Sequence, residues 1–351
     1  MMRVAIIGAG PSGLTAAAEL ARQCASVRVF EKRDGASNLS RAVGITPGSL
    51  DLLTPCGAGP AIAAEAVRFT SMIMHHGARP IMRLPLNFDA RSSVHGLPQD
   101  RTEAHLAAAF QRYGGQVIYG HKVTGLAQDE NGVTARFANG DSYHADWLIG
   151  ADGAHSVVRN ALDTPFAGYD LPGDWSIADV QSRTWPHKNN FTGFLLPQGH
   201  IAVVVPMAAD RYRVIADRPD ARAALPVDLP IDHLNRSGTF TIGIRQANSY
   251  QKGRVFLVGD AAHQHSPVGG RGMNLGIADA AELARRLVDG TQDGYSAARH
   301  PLGRHVLNVS ERARRMLQSR GARKALLLGM MHIVNRVPPL QRAAARQLLS
   351  G

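Results

Sequence analysis

RVAIIGAGPSG, residues 3–13, is the stretch that decides the fold. Arg3 to Ile7 form a short apolar run rich in β-branched residues, and a glycine-rich segment follows it directly. The apolar residues that come next recur at the spacing of one helix face: Leu14, Ala17, Ala18 and Ala21. The stretch therefore predicts a strand, a tight turn and a helix.

The glycines of this turn predict a dinucleotide site. Gly8 permits the sharp turn, Gly10 lets the backbone approach a pyrophosphate, and Gly13 lets the helix pack closely on the strand. The helix N-terminus offers free amides and a positive dipole end to phosphates. A second strand, Val27 to Phe30, ends at Glu31, which we expect to accept hydrogen bonds from a ribose and to disfavour NADP. NAD and FAD both remain open, and a glycine-rich turn without a ligand is the alternative.

Length and composition favour two domains that share an interface. The chain has 351 residues, of which 44% are hydrophobic. Its first strand begins next to the initiator methionine, so we expect no signal peptide. The longest apolar run near the C-terminus, Ala325 to Val334, is too short to span a bilayer. Cys24 and Cys56 form no redox or metal motif. A cytoplasmic protein is therefore expected.

Basic charge is concentrated at the C-terminal end. The net charge is +11, and residues 299–351 hold eleven Lys or Arg and a single acid, Glu311. These residues contain no aromatic side chain to interleave with the basic ones, which argues against nucleic-acid binding. They mix apolar and basic positions, which is typical of amphipathic helices broken at Pro338-Pro339. Such helices either cap the dinucleotide domain or dock on an acidic carrier protein or an anionic membrane surface.

The middle of the chain is rich in predicted strands. Asn131-Gly132 and Asn139-Gly140 indicate hairpins that join three strands, after which Trp147 to Ile149 return to the first sheet. Residues 67–88 indicate short edge strands. The strands of a second sheet are predicted at Phe191–Leu196, His200–Pro206, Tyr212–Ala216 and Thr239–Arg245.

Two further motifs follow. GADGAHSVVR, residues 150–159, leads into a helix, and GRVFLVGDAAHQHSPVGGRGMN, residues 253–274, ends a strand in Asp260 and places a second glycine-rich loop at a helix N-terminus. That loop makes a second anion-stabilising site. Two such sites more than 240 residues apart indicate one long ligand with charge at both ends.

With its three motifs in this order, the chain resembles the p-hydroxybenzoate hydroxylase-like (group A) FAD-dependent aromatic hydroxylases. The resemblance implies an α/β fold with a Rossmann-like FAD-binding domain, a second β-sheet substrate domain and a C-terminal helical segment. The expected boundaries are 1–66, 97–164 and 253–298 for the discontinuous FAD-binding domain, 67–96 and 165–252 for the substrate domain, and 299–351 for the basic helices.

The resemblance also implies roles for particular residues. The pyrophosphate of FAD would lie on Gly8, Gly10, Pro11, Ser12 and Gly13, and the adenosine ribose on Glu31 and Lys32. Contacts to the pyrophosphate and ribityl chain are expected from Arg41, from Gln99 or Arg101, and from Asp260. Val123 and Asp152 are also expected in the cofactor site, Asp152 serving NAD(P)H as well. The flavin N1–C2=O edge would meet the amides of Gly270, Arg271, Gly272, Met273 and Asn274, beside Pro267.

The implied reaction is a monooxygenation. NADPH or NADH would reduce FAD, O₂ would add at flavin C4a, and the hydroperoxide would transfer one oxygen to a phenolic or polyketide-like ring. Pro267 and Arg271 are the flavin-facing candidates, and the sequence assigns no general acid or base. The family usually has Gln at the position of Arg271 and often has Arg at Gly48. Arg211 and Arg213 share one strand face, which either lines the substrate pocket or faces solvent.

Several alternatives stay open. A flavoenzyme of this kind also performs epoxidation, Baeyer–Villiger oxidation, halogenation or double-bond reduction, although Trp147, Trp175 and Trp185 lie in no halogenase motif. A non-catalytic FAD-binding partner protein is the alternative from another class. His263 and His265 could share a face in an extended chain, but no metal is expected there. The oligomeric state is not indicated by the sequence.

Overall fold

The structure is a computed structural model that describes residues 1–37, 42–87 and 93–349. Its strands are β1 (Arg3–Ile7), β2 (Ser26–Phe30), β3 (Gly44–Ile45), β4 (Val67–Arg68), β5 (Ser71–His76), β6 (Arg79–Pro85), β7 (His95–Gly96), β8 (Val117–Ile118), β9 (Val123–Gln128), β10 (Val133–Phe137), β11 (Ser142–Ala145), β12 (Trp147–Gly150), β13 (Phe166–Asp170), β14 (Trp175–Gln181), β15 (Asn190–Leu195), β16 (Ile201–Ala208), β17 (Arg211–Ala216), β18 (His233–Phe240), β19 (Gly243–Ala247), β20 (Gln251–Lys252), β21 (Val255–Leu257) and β22 (His263–Gln264). Its α-helices are α1 (Pro11–Arg22), α2 (Pro47–Leu53), α3 (Ala58–Glu65), α4 (Gln99–Arg112), α5 (Val157–Ala161), α6 (Gly272–Asp289), α7 (Tyr295–Leu317), α8 (Gly321–Arg336) and α9 (Pro338–Leu349).

A six-stranded sheet carries the N-terminal motif. Its strand order is β20-β21-β12-β1-β2-β8, and β1 pairs in parallel with β2 and with β12. Val4, Ala5 and Ile6 have no exposed surface because both faces of the sheet are covered, which explains the unbroken apolar run. Helix α1 presents small alanines that let it pack closely against α4 and α6. The predicted α/β class is therefore confirmed.

The predicted hairpins are also present. Strands β9, β10 and β11 form an antiparallel three-stranded sheet, and their connections contain Asn131-Gly132 and Asn139-Gly140. The chain then returns to the first sheet, where Trp147 pairs with Val4.

A seven-stranded sheet forms the second layer, in the order β18-β14-β17-β16-β15-β5-β6. The predicted strand Thr239–Arg245 was wrong, because β18 ends at Phe240 and β19 begins at Gly243 in a different sheet, paired with β13 and β22. Strand β14 was missed because it is buried on both faces, which hides the alternation of apolar and polar residues.

The basic C-terminal helices cover the second sheet. Leu327 and Met331 of α8 lie in one apolar cluster with Met82 and Leu84 of β6, and α9 also contacts β6. The interpretation that these helices cap the dinucleotide domain is corrected for α8, whose apolar face is buried against β6, whereas α7 contacts α6 through Arg299 and Asp279. In the described chain, no helix combines the length and the apolar character needed to cross a bilayer.

Candidate active site

The glycine-rich turn after β1 is shaped by contacts that leave no room for side chains. A Cβ on Gly8, whose φ is +107°, would lie 2.3 Å from the carbonyl oxygen of Ala151, and one on Gly13 would lie 2.0 Å from that of Gly8. Gly10 is different, because a Cβ there would have nothing within 4 Å. The backbone is therefore tightly held at Gly8 and Gly13 and open at Gly10.

The N-terminus of α1 completes this loop. The amide of Leu14 donates to the carbonyl of Gly10 at 2.9 Å, so the amides of Ser12 and Gly13 lie in the first turn, before regular helical bonding begins. The first turn, all of which is described, holds no acidic residue. Its positive dipole end is thus available to an anion.

Glu31 is buried at the end of β2 and is bound by the turn itself. Its Oε2 accepts from the amide of Ala9 at 2.8 Å, and its Oε1 accepts from the amide of Arg33 at 3.0 Å. Burial alone would raise the pKa of Glu31, but the Ala9 amide and the Arg33 guanidinium outweigh it, so the pKa lies below its ordinary value. The carboxylate is ionised, and donors of Ala9 and Arg33 surround both of its oxygens.

Gln99, rather than Arg101, points back to this region. Gln99 Oε1 accepts from the amide of Ala42 at 3.1 Å, and its Nε2 donates to Glu103 at 2.8 Å. Arg101 is half exposed and forms an ion pair with Glu65 at 2.7 Å. Both Gln99 and Arg101 stay predictions for the cofactor contact. The expected contact from Arg41 lies outside the described residues.

Two other expected cofactor residues differ in their exposure. Lys32 is exposed next to Glu31. Val123 is buried in the apolar cluster of the first sheet, which leaves only its main chain for a contact.

The first and third motifs meet at Ser12. A Cβ on Gly259 would lie 2.5 Å from Ser12 Oγ, and one on Gly276 of α6 would lie 2.3 Å from the same oxygen. Two glycines distant in sequence therefore make space for the phosphate loop. This packing sets Asp260, next to Gly259, at an exposed position beside the loop that holds Ser12.

The loop before α6 is fixed by Asn274. Its Oδ1 accepts from the amide of Thr46 at 2.9 Å, and its Nδ2 donates to the carbonyls of Gly44 and Gly270, each at 2.9 Å. The amide of Gly270 donates to the carbonyl of Pro267 at 3.0 Å, which closes a turn. The loop therefore has a defined shape, and its amides lead into the N-terminus of α6.

Arg271 occupies the N-cap position of α6 and is half buried. Its side chain lies over Gly269, whose Cβ would be 3.5 Å from Arg271 Nε. Burial lowers the pKa of Arg271 from its ordinary value, but an arginine stays charged at neutral pH. Burial also lowers the pKa of His265, whose ring lies against Gly272. A positive charge thus stands beside this loop, as the sequence predicted.

Asp152 has a structural partner set. Its Oδ1 accepts from Ser156 Oγ at 2.5 Å, and its Oδ2 accepts from the amides of Val157 and Val158 at 2.8 and 3.1 Å, which caps α5. Arg159 then donates to the carbonyl of Ala261 at 2.9 Å. The second motif therefore ties itself to the third. The expected role of Asp152 towards FAD and NAD(P)H stays a prediction beside these bonds.

His263 is bound to a carboxylate in the interior of the protein. Its Nε2 lies 2.5 Å from Asp279 Oδ2, and Arg299 Nε donates to Asp279 Oδ1 at 2.7 Å. Burial alone would raise the pKa of Asp279, but the charges of His263 and Arg299 outweigh it and lower that pKa. Within residues 1–37, 42–87 and 93–349, no three His, Cys, Asp or Glu side chains are grouped to hold a metal.

Of the two arginines predicted to share a face of the substrate sheet, Arg213 is buried. Arg213 has no exposed surface, and its Nε and Nη2 both donate to Asp179 at 2.7 Å across β14 and β17. The solvent-facing alternative for Arg213 is thereby wrong, and the bidentate bond to Asp179 compensates its charge. Arg211 is partly exposed on the same face.

Apolar side chains pack together where the second sheet meets the loop before α6. Val268, next to Pro267, packs in the cluster that contains Met74, Ile242 and Leu327. A neighbouring cluster contains residues from five regions of the chain: Val43, Phe69, Leu86, Val205, Met207 and Ala345. The surroundings of the loop before α6 are therefore apolar on the side of the second sheet.

Comparison with known proteins agrees with this site. The family model described as FAD binding domain matches residues 1–310. The rifampicin monooxygenase of Streptomyces venezuelae is 32% identical over 335 residues, which cover 88% of this chain and 70% of the relative. The 12-dehydrotetracycline 5-monooxygenase/anhydrotetracycline 6-monooxygenase of Streptomyces rimosus is 32% identical over 375 residues, 94% of this chain and 73% of the relative. This chain belongs to the FAD-dependent aromatic hydroxylases.

The fold of the hydroxylase agrees as well. The crystal structure of p-nitrophenol 4-monooxygenase from Pseudomonas putida DLL-E4 matches it with a TM-score of 0.90 and 23% identity, over 100% of this chain and 99% of that one. The hydroxylase fits FAD on its own geometry. The backbone is open at Gly10, Glu31 is ionised, and Asp260 is exposed next to Gly259, which packs against Ser12.

Sequence reasoning missed several residues of the hydroxylase site. Arg33 contacts Glu31, and Glu103 accepts from Gln99. Arg159 joins the second and third motifs. Asp279 lies 3.4 Å from the amide of Gly259. Arg159 and Asp279 act through partners distant in sequence, so no local pattern marks those contacts. Arg33 and Glu103 lie only two and four residues from Glu31 and Gln99. Asp279, an acid within an otherwise apolar stretch of α6, was a usable signal.

Proposed function

We propose that this enzyme uses NADPH or NADH and O₂ to hydroxylate a polycyclic phenolic substrate of the polyketide type. The observation that carries the proposal is the packing of Val268, next to Pro267, on an apolar cluster of the second sheet, which makes the surroundings of the loop before α6 apolar. The substrate classes named for the Streptomyces relatives, rifampicin and anhydrotetracycline, support the choice of a large aromatic ring system.

In this proposal each part of the site has one task. The amides of Ser12 and Gly13 bind the pyrophosphate, Glu31 binds the adenosine ribose, and Asp260 binds a ribityl hydroxyl. The amides at the N-terminus of α6 and the charge of Arg271 stabilise negative charge at the flavin edge. Bound FAD supplies the redox chemistry and the activation of oxygen.

The two sheets divide these tasks between them. Residues 1–66, 97–164 and 253–298 hold the cofactor, and residues 67–96 and 165–252 receive the substrate. The buried pair of Arg213 and Asp179 keeps the substrate sheet rigid and presents no net charge to the ring system. The apolar clusters on this face exclude water from the reacting atoms, which protects the activated oxygen from unproductive release.

The test is oxygen incorporation. FAD-loaded enzyme is supplied with NADPH or NADH and a panel of phenolic and polyketide-like compounds. We expect slow NAD(P)H oxidation alone, faster oxidation with a substrate, and one atom from ¹⁸O₂ in a hydroxylated product. Product that forms without O₂ indicates reduction instead, and an ester or epoxide identified by NMR indicates one of the other flavin reactions. Either result contradicts the proposal.

A pair of variants tests whether the apolar cluster around Val268 contacts the substrate. Val268→Asn places an amide in the cluster, which costs about 1–3 kcal/mol when such a group is left unpaired. We therefore expect KM to rise by about tenfold or more while FAD content stays the same. Val288→Asn, at an exposed position of α6, is the matched control and should leave KM unchanged. Equal effects of the two variants on KM would show that Val268 does not contact the substrate.

A further inference from the structure

Helix α8 carries a second apolar face that the fold does not use. Leu326, Met330, Ile333 and Val337 follow one another at intervals of four, three and four residues, so they lie on one face of the helix and its C-cap. All four are exposed, Leu326 by 66% and Ile333 by 56%. We call this set the α8 stripe.

The α8 stripe is distinct from the face that packs on the protein. Leu327 and Met331 are buried against β6. Asn335 also faces β6, where its Oδ1 accepts from the amide of Arg83 at 2.9 Å. The stripe is about a third of a turn away from Leu327 and Met331. A helix that is apolar on two faces requires a second apolar environment.

The charges around the stripe identify that environment. Residues 312–351 contain nine Lys or Arg and no Asp or Glu. Arg323 and Arg336 lie on opposite flanks of the stripe, and both are exposed. A second copy of the chain would bring two sets of like charges together across the stripe, which disfavours a symmetric dimer there. The partner must be apolar at its centre and negative at its surface.

We propose that the α8 stripe docks on the surface of an anionic lipid bilayer. An interfacial helix places aliphatic side chains among the acyl chains and keeps Arg and Lys at the headgroups, which is the arrangement of the stripe and its flanks. No part of α8 is long and apolar enough to cross the bilayer, so the helix lies in the interface plane. The buried face of α8, with Leu327 and Met331, belongs to the cluster against which Val268 packs, so docking sets the membrane close to the proposed substrate region.

The consequence for catalysis rests on the proposed function, since a lipophilic ring system would then reach the site from the membrane. The docking itself does not rest on it. Binding to vesicles is measured without turnover, so a failed hydroxylation assay and a failed docking assay are separate results.

The experiment is sedimentation of the FAD-loaded full chain with lipid vesicles. One vesicle type contains equal parts of phosphatidylglycerol and phosphatidylcholine, and the other contains phosphatidylcholine alone. The double variant Leu326→Ser with Ile333→Ser removes the centre of the stripe, and Leu302→Ser, at an exposed position of α7, is its matched control. Arg336→Glu tests the charge, with Arg28→Glu on β2 as control for the same change in net charge.

We expect the wild-type chain to bind the anionic vesicles at low salt, to bind the neutral ones weakly, and to be released as salt approaches about 1 M. The double serine variant should bind at least about tenfold more weakly, because two inserted aliphatic side chains are lost. Arg336→Glu should weaken binding several-fold, whereas Leu302→Ser and Arg28→Glu should bind as the wild type does. Unchanged melting temperatures show that the variants are folded.

Three results overturn the proposal. The first is absence of binding to anionic vesicles at low salt. The second is binding that the double serine variant retains in full. The third is a concentration-dependent dimer in analytical ultracentrifugation that the same variant dissociates, because a second copy of the chain then covers the stripe.

Discussion

Gly276→Ala is the substitution that most directly tests how the two cofactor loops are joined. Gly276 lies on α6 where that helix meets the phosphate loop. A Cβ at this position would be 2.3 Å from Ser12 Oγ and 3.1 Å from Gly259 Cα. Ordinary contact begins at about 3.4 Å, so the loops must separate by about 1 Å at Ser12 to admit one methyl group.

The size of the effect follows from two opposed contributions. In a free helix, alanine in place of glycine stabilises by about 0.5–1 kcal/mol. Forcing an extra methyl group into a packed contact costs about 1–3 kcal/mol. The atoms that must move belong to Ser12 and Gly259, which carry the phosphate amides and adjoin Asp260. We therefore expect FAD affinity to fall by about ten- to a hundredfold, with only a small loss of protein stability.

The assay is titration of apoprotein with FAD, followed by calorimetry, in a double-mutant cycle with Ser12→Ala. Removing the hydroxyl leaves Ser12 Cβ at 3.5 Å from the new methyl group, which is ordinary contact. The double variant should thus regain most of the affinity that Gly276→Ala loses. Gly329→Ala on α8 is the control, because a Cβ there meets nothing within 4 Å. It should raise the free energy of unfolding by about 0.5–1 kcal/mol and leave FAD binding alone.

If Gly276→Ala binds FAD as tightly as the wild type and gains the same stability as Gly329→Ala, the close packing of the two loops is not real. If Gly276→Ala weakens binding but Ser12→Ala restores none of it, the clash lies at Gly259 Cα instead.

The remaining predictions concern three polar side chains. Asp260→Ala should weaken FAD retention by about 1–3 kcal/mol, measured by release of yellow cofactor on dilution, because a charge-assisted hydrogen bond is lost; unchanged retention removes Asp260 from the site. Asn274→Ala leaves the buried carbonyl and amide groups of its partners unpaired and should lower the free energy of unfolding in urea by about 2–4 kcal/mol. Asp279→Asn leaves the buried guanidinium of Arg299 uncompensated and should cost about 3–5 kcal/mol at pH 7. Since the folded-state pKa of Asp279 is lowered, this stability is present above the unfolded-state pKa of about 3.9 and is lost as the pH falls through the folded-state pKa. The difference between wild type and Asp279→Asn should therefore be constant from pH 7 to about pH 5 and shrink below about pH 4; a difference that grows on acidification contradicts this assignment.

Sequence reasoning was most successful where the relevant contacts are local. The strand, turn and helix of residues 3–22 follow from apolar spacing and three glycines, because each feature is decided within a few residues. The same holds for the hairpins at Asn131-Gly132 and Asn139-Gly140. The loop before α6 was also located, since glycine and proline mark it.

It was least successful where a side chain's partner comes from another part of the chain. The alternation of Arg211 and Arg213 indicates that they share a face, but not that Asp179, 34 residues earlier than Arg213, closes against it. The ion pair of Arg101 with Glu65, 36 residues earlier, was likewise not visible in the sequence. A sequence pattern predicts which way a side chain points, and only the packed structure shows which residue it contacts.

The C-terminal helices also show that a sequence pattern does not identify the partner of a face. Helix α8 has apolar residues on two faces, and their spacing does not indicate which face is buried. The structure assigns Leu327 and Met331 to the interior. It also shows how the tail is fastened, since Arg299, on the helix that leads to α8, is bound through Asp279 to the segment of Gly259 and His263. The charge that holds α7 in place is thus the charge that supports the loop of Asp260. Asp279→Asn should therefore loosen the contact between α7 and the loop of Asp260 while leaving the α8 stripe intact.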